Sequence, residues 1–224
     1  VAAPRRSVFI CALPRTGSSL IAHLLWRSGA VGYPGEWFWR EDAERNRAAW
    51  GTRTFPEYLE RVLDEGTSSG GVFAAKVMWG YVHELLFELR RLAREYDADD
   101  LALLRRFLPE PRFVWLRRRD VVAQAVSWAK AVQTGQWAAG QPAGRAPEFD
   151  FEQIDALYHL ARVHDGAWQR WFATHGTSRY GWSTKSSPLR PSASAARSSP
   201  PSGSRRCRTG AWRCRRSSGV RPTR

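Results

Sequence analysis

The apolar run Ser7 to Ala12 (SVFICA) stops abruptly at Leu13-Pro14-Arg15-Thr16-Gly17-Ser18-Ser19. Leu20, Ile21, Leu24 and Leu25 then recur at helical spacing. A short apolar run bounded by turn residues reads as a buried strand, and the following period of 3.6 reads as a helix. The opening is therefore strand, Gly-containing turn, helix. The same alternation returns further on. Gly71 to Met78 (GVFAAKVM) reads as a second strand, and Val82, Leu85, Leu86, Leu89 and Leu92 mark a helix after it. Leu101 to Phe107 reads as another helix. Arg112 to Leu116 (RFVWL) reads as a third strand, running into Arg117-Arg118-Arg119-Asp120. Asp120 is placed to cap a helix whose buried stripe would be Val121, Val122, Ala125, Val126 and Ala129. Asp120, Gln124, Ser127 and Lys130 would share its opposite face. Phe151 to Phe172 reads as a long helix with Ile154, Leu157, Tyr158, Ala161 and Trp168 inward. Thr54-Phe55-Pro56-Glu57 has the form of a capping box and starts a helix through about Leu63. Strands alternating with helices predict an α/β fold, a parallel sheet flanked by helices.

A strand that ends in a Gly/Ser/Thr loop and opens a helix is suited to an anion. Backbone N–H groups converge there and the helix dipole favours negative charge. Gly17 permits a tight turn; Thr16, Ser18 and Ser19 add hydroxyls; Arg15 adds a fork of charged donors. An ordinary strand–helix turn would show the same pattern. The Walker A pattern with its lysine is absent, which disfavours a nucleoside triphosphatase. The third strand's basic end offers a second anion position. Arg118 and Arg119 precede Ser127 by nine and eight residues, and an arginine fork with that hydroxyl would suit a phosphate. Three arginines before a helix also suit a solvated turn. Two anion sites at the ends of neighbouring strands would fit a nucleotide phosphorylated at two positions.

Charge divides the chain. The formal net charge is +14, but Ser178 to Arg224 holds eleven Arg, one Lys and no Asp or Glu. Residues 1–177 carry 23 basic and 21 acidic side chains, so the basic character that suggests nucleic acid sits in the tail. The expected organisation is a nucleotide-binding domain over 1–177 and a Ser/Arg/Pro-rich tail over 178–224. Two readings of that tail stand: a disordered basic extension, or a stretch translated out of frame. A GC-rich encoding of Arg179 to Ser187, read two bases later, gives Val-Arg-Val-Val-Tyr-Glu-Glu-Leu. That is a strand followed by an acidic helix start. Cys11, Cys207 and Cys214 suggest neither a disulfide framework nor a metal cluster, and no metal is expected. No apolar run reaches the ~18–20 residues of a membrane span. Val8 to Leu13 is too short for a signal-peptide core, so a cytoplasmic protein is expected.

Pro14-Arg15-Thr16-Gly17-Ser18-Ser19 resembles the 5'-phosphosulfate-binding loop of sulfotransferases that use 3'-phosphoadenosine-5'-phosphosulfate (PAPS). Arg119 to Ser127 (RDVVAQAVS) resembles their 3'-phosphate-binding segment. Gly32-Tyr33-Pro34-Gly35-Glu36-Trp37-Phe38, Lys76-Val77-Met78-Trp79 and Ser127-Trp128 through Trp137 are similar to segments of the bacterial Stf0 branch. These stretches fall in order between residues 7 and 175. The resemblance implies a P-loop-like, sulfotransferase-type sheet and sulfuryl transfer from PAPS to a hydroxyl of a carbohydrate or other small molecule, trehalose-like acceptors included. It implies that Pro14, Arg15, Thr16, Gly17, Ser18 and Ser19 hold the 5'-phosphosulfate. Arg118 or Arg119, with Ser127, would hold the 3'-phosphate. Glu36 would be the general base and Arg15 a catalytic cation, with Tyr33, Trp37, Glu36 and Lys76 toward the acceptor. Tyr33 stands where the branch's trehalose-sulfating pattern has Glu. A homodimer is compatible with the resemblance. For Trp79, Trp128 and Trp137, core packing and stacking on a ligand both remain open. The alternatives in other classes are a truncated remnant that binds nucleotide without turnover, a P-loop nucleotide kinase, and a nucleic-acid binder acting through the tail.

Overall fold

The computed structural model describes residues 4–138, 140–177 and 179–184. Among them the order is β1 (Arg6–Ala12), α1 (Ser18–Arg27), α2 (Arg40–Trp50), α3 (Phe55–Gly66), β2 (Val72–Met78), α4 (Trp79–Ala93), α5 (Asp100–Phe107), β3 (Pro111–Arg118), α6 (Val121–Thr134), α7 (Phe151–Thr174) and β4 (Arg179–Thr184). The four strands form one parallel sheet in the order β2-β1-β3-β4. Each crossover carries helices, as parallel strands require. The chain leaves β1 toward β2 and later returns to β1's other side as β3. The strand order therefore reverses between β1 and β3, and a crevice opens at their carboxyl ends.

β1 is central and almost wholly buried. Phe9 stacks on Phe113 of β3 and meets Phe73 of β2 edge-on. Trp168, Trp171 and Phe172 of α7 close over Phe113 and Trp115 in a run of edge and stacked ring contacts. Trp168 also donates its indole N–H to the Ala12 carbonyl at 3.2 Å, so the end of β1 has a partner from α7. The capping box of α3 is formed: the Thr54 hydroxyl accepts from the Glu57 N–H, and the Glu57 carboxylate accepts from the Thr54 N–H.

Several expectations need correction. Leu20 and Leu24 are more than half exposed, and α1 packs through Ser18 and Ala22, with Ile21 and Leu25 half-buried. The small residues let the helix lie close to the sheet. On α6, Val122 is 60% exposed while Gln124 is buried, because Gln124 turns inward to the loop after β1. α2 had no apolar period to reveal it, and none of its residues is buried. Arg179–Thr184, assigned from sequence to the tail, pair in register with β3 from Phe113↔Arg179 to Arg118↔Thr184. The Arg179 guanidinium lies over Trp115 and Phe172, 4.8 and 5.3 Å from the ring centroids. The two readings of residues 185–224 lie outside the described residues. Among the described residues no helix is long and apolar enough to cross a membrane.

One close approach fixes the segment between α1 and α2. The Gly32 N–H donates to the Val72 carbonyl at 2.9 Å, and a Cβ added at Gly32 would sit 1.9 Å from the Gly66 carbonyl oxygen. Gly32→Ala must therefore move backbone, and should lower the unfolding free energy by ~2 kcal/mol or more. Gly70→Ala meets only ordinary contacts and should stay within ~0.5 kcal/mol of wild type. Urea denaturation of the pair checks this; equal midpoints would mean that the Gly32–Gly66 approach is soft.

Candidate active site

The crevice is built from three strand ends and one loop pinned beside them. The first end is the turn from β1 into α1. Gly17 has φ 89°, a conformation that costs glycine little, and it is the residue before α1. The first turn of α1 has neither a side-chain cap nor an acidic residue. Its N–H groups and dipole are thus available to an external anion. Thr16 folds back, its hydroxyl donating to the Leu13 carbonyl at 2.8 Å. Arg15 has φ 65°, which is sparsely populated for a residue with a Cβ. This turn sends its side chain across to α6, where Nε donates to Ser127 Oγ at 3.0 Å and a terminal nitrogen donates to the Trp137 carbonyl at 2.5 Å.

The second end is that of β3. Arg118 donates to the Arg15 carbonyl at 3.2 Å. The two candidate anion positions are therefore neighbours, joined at Arg15. Both guanidinium groups donate to neutral oxygens, namely a hydroxyl and two carbonyls. Burial, and then the adjacent Arg118 charge, hold the Arg15 guanidinium below its ordinary pKa. Two cations kept together by neutral acceptors favour an anion between them. Arg117 is used differently: it makes a two-pronged pair with Asp165 of α7 and lies over the Trp115 ring. Arg119 is exposed, and its backbone N–H joins β3 to the Thr184 carbonyl. Thr16, Arg118, Arg119, Gln124 and Ser183 border a cavity of ≈ 410 Å³ beside the loop.

The third end is that of β2, and here Lys76 and Glu36 meet. Gly35 forms a parallel bridge to Ala75, and the Lys76 N–H donates to the Gly35 carbonyl at 2.9 Å. That pairing sets Glu36 against β2. Lys76 Nζ lies 2.8 Å from Glu36 Oε1 and donates to Ser19 Oγ at 3.2 Å. Tyr81 Oη lies 3.0 Å from Glu36 Oε2 and 3.1 Å from the Lys76 carbonyl. Lys76 is buried among the described residues, while the Glu36 side chain keeps 24% of its surface in solvent. A carboxylate open to solvent on one side, with a cation bridging it to the anion loop, can receive a proton beside a negatively charged group.

A family model described as Stf0 sulphotransferase matches residues 7–180, most of the chain. The chain belongs to the Stf0 sulphotransferase family. It is similar to the trehalose 2-sulfotransferase of Mycobacterium tuberculosis (strain ATCC 35801 / TMC 107 / Erdman), 28% identical over 199 aligned residues, covering 76% of this chain and 74% of the relative. It is also similar to the trehalose 2-sulfotransferase of Mycolicibacterium smegmatis, 25% identical over 191 residues, covering 73% and 71%. The Stf0 assignment agrees with the α/β architecture and its parallel sheet. Among the described residues no group of three or more His, Cys, Asp or Glu is placed to hold a metal ion.

The structure brings Arg15, Thr16, Gly17, Ser18, Ser19, Arg118 and Ser127 to one edge of the sheet and joins Glu36 and Lys76 to it through Ser19. Pro14 contributes its carbonyl, which accepts from Gln124 Nε2 at 2.8 Å. Trp37 is placed elsewhere: its indole is buried in the core, donating to the Ala74 carbonyl at 3.0 Å and packing on Trp50. The Glu-Trp-Phe order put it beside Glu36, but the bridge at Gly35 turns successive side chains to different sides. Tyr33 is half exposed and touches Trp26 and Trp37 edge-on. Trp128 is in the core and Trp137 is 45% exposed. Sequence reasoning passed over Tyr81 and Thr184, and set Gln124 on the face of α6 opposite its buried stripe. Thr184 Oγ1 donates to the Thr16 carbonyl at 3.1 Å. Gln124→Leu would leave the Pro14 carbonyl without this donor. It should cost ~1–3 kcal/mol, read by urea denaturation, with a looser loop read as weaker anion binding. A variant as stable as wild type would show that the contact does not hold the loop.

Proposed function

We propose that this Stf0 sulphotransferase moves a sulfuryl group from PAPS to a carbohydrate hydroxyl, with Glu36 as the base. The observation that carries the reading is the Glu36–Lys76–Ser19 string, which links the only carboxylate in that string to the anion loop. The residues present fit PAPS: an uncapped helix start, a left-handed Gly17, and two guanidinium groups bonded to neutral oxygens. The loop from Pro14 to Ser19 would hold the 5'-phosphosulfate through its N–H groups and hydroxyls. Arg118 and Ser127 would hold the 3'-phosphate. Arg118 is preferred over Arg119 because its guanidinium already lies against the loop, while Arg119 is exposed. When bound, PAPS supplies an activated sulfuryl group with a phosphate as its leaving side.

The chain's own residues then have three tasks. Donors fixed by the fold stabilise charge as it builds on the leaving oxygen, and they need no reorganisation to do so. Lys76 stands between loop and base, where it can neutralise the transferred group and fix its line of approach. Glu36 takes the proton of the incoming hydroxyl, a contribution of ~10²–10⁴ in rate. The carbohydrate class is supported by the named activity of the two mycobacterial relatives; Tyr33, which the resemblance sets toward the acceptor, is half exposed and can cover a sugar face.

The family match ends at residue 180, within the stretch where the residue pattern suggests a change of frame. We read the residues beyond β4, which still pairs in register with β3 through Thr184, as translated out of frame; an unbroken reading frame in independent DNA reads would remove this reading.

Titration calorimetry of the 224-residue chain with 3',5'-ADP should give binding that weakens at least about tenfold in Arg118→Ala, the loss expected for a charge-assisted phosphate contact. No binding by the folded protein would reject the nucleotide site. Glu36→Gln should leave that affinity within about twofold and reduce turnover by ~10²-fold or more. Unchanged turnover would remove Glu36 as base.

A further inference from the structure

Tyr81 opens the third residue of α4, five residues after Lys76 on the same β2–α4 junction. Its ring is buried, yet its hydroxyl reaches the Glu36 carboxylate at the mouth of the crevice. A buried phenol is ordinarily satisfied by any nearby carbonyl, and the Lys76 carbonyl at 3.1 Å would suffice. Here the same hydroxyl also lies 3.0 Å from Glu36 Oε2. The two carboxylate oxygens are thereby distinguished. Oε2 faces a neutral phenol whose ring is locked in the core. Oε1 faces Lys76, whose ammonium also reaches Ser19 at the anion loop.

We propose that Tyr81 is a positioning residue for the Glu36 carboxylate, fixing Oε2 so that Oε1 is presented toward Lys76 and the incoming hydroxyl. This rests on the reading of Glu36 as the base. A carboxylate on a Glu side chain has three rotatable bonds, and the Gly35 bridge fixes only its backbone. One further anchor is needed to hold the acceptor-facing oxygen to within the fraction of an ångström that proton transfer in line with sulfur demands. The phenol supplies that anchor without adding charge. Burial, and then the Glu36 charge, push the Tyr81 hydroxyl well above the usual phenol range, so it stays protonated, and its single proton is shared between Glu36 Oε2 and the Lys76 carbonyl. The titratable groups around Glu36 come from three elements. Lys76 faces it from β2. Asp42 faces it from α2 and is itself paired with Arg45. Tyr81 comes from α4. Asp42 sits above the usual carboxylate range, through burial first, with Glu36 adding to it and Arg45 opposing.

The test uses the full chain, with turnover of PAPS and trehalose and titration calorimetry with 3',5'-ADP as readouts. In Tyr81→Phe the affinity for 3',5'-ADP should remain within about twofold, while kcat should fall by about tenfold or more with the donor KM unchanged, because the carboxylate has lost the donor that fixes Oε2. A purely structural role for Tyr81 would weaken nucleotide binding and raise the donor KM together with any loss of turnover. If Tyr81→Phe does not fold, 3-fluorotyrosine in place of Tyr81 keeps both the ring and the donor, and should keep kcat within about twofold of wild type. Unchanged kcat in a folded Tyr81→Phe variant, or a loss of about tenfold with 3-fluorotyrosine, overturns the proposal. Full turnover by Glu36→Gln overturns the base reading instead, and the catalytic meaning of Tyr81 with it.

Discussion

Parallel pairing of β1 with a strand on each side is the constraint from which the rest follows. Parallel strands all end on the same edge of a sheet. With Ile10 opposite both Lys76 and Val114, that shared edge carries the loop after β1, the amine of β2 and the guanidinium of β3. None of these groups approaches another in sequence. Their convergence is a matter of register alone, and sliding either neighbour by one residue would turn its side chains to the opposite face. Specific ring packing makes such a slip costly, because Phe9 stacks on Phe113 of β3 and meets Phe73 of β2, and a one-residue shift would part these rings.

Around this edge the fold places cations with unequal freedom. Arg117 is neutralised by Asp165 and serves the packing of α7 on β3. Arg15 and Arg118 are held close by neutral acceptors, and Lys76 is divided between a carboxylate and a hydroxyl. Repulsion between Arg15 and Arg118 is sustained by the hydrogen bonds to the Arg15 carbonyl and to Ser127. An arriving dianion would relieve that repulsion, which adds to its binding without any new contact. The positive-φ backbone at Arg15 belongs to the same arrangement, since a strained residue persists where the surroundings over-determine it.

The first three strands and the loop were legible because they depend on local pattern: apolar runs, a Gly turn, a cap at Asp120 and a capping box at Thr54. All four have the form expected. The resemblance to Stf0 sulfotransferases rested on motifs at these same places, and the family match agrees with it. Less legible was whatever depended on which way a side chain turns. Gln124 looked solvent-facing because a polar residue on an amphipathic helix usually is. It is buried because a loop carbonyl waits for it. Leu20 and Leu24 looked internal by the converse logic, yet the close fit of Ser18 and Ala22 against the sheet leaves them outside. Trp37 looked like part of the pocket because it adjoins Glu36 in sequence. The link between Glu36 and Lys76 was hidden because it arises from a bridge of two residues, Gly35 and Ala75, too short to leave a period. β4 was hidden by composition, its Arg, Tyr and Ser merging with the basic stretch that follows.

The central strand β1 precedes both its neighbours, and both come late. Ser7 pairs with Phe73 and with Pro111, so β1 lacks its second partner until more than a hundred further residues exist. A ribosome adding 5–20 residues per second would need roughly 5–20 s to deliver them. Until β2 is made the apolar segment from Val8 to Ala12 has two unsatisfied edges, and from then until β3 is made it has one. Non-local pairings of this kind slow folding and prolong exposure to aggregation. In this molecule the strand that organises the sheet is thus also one whose second edge waits long for a partner during synthesis.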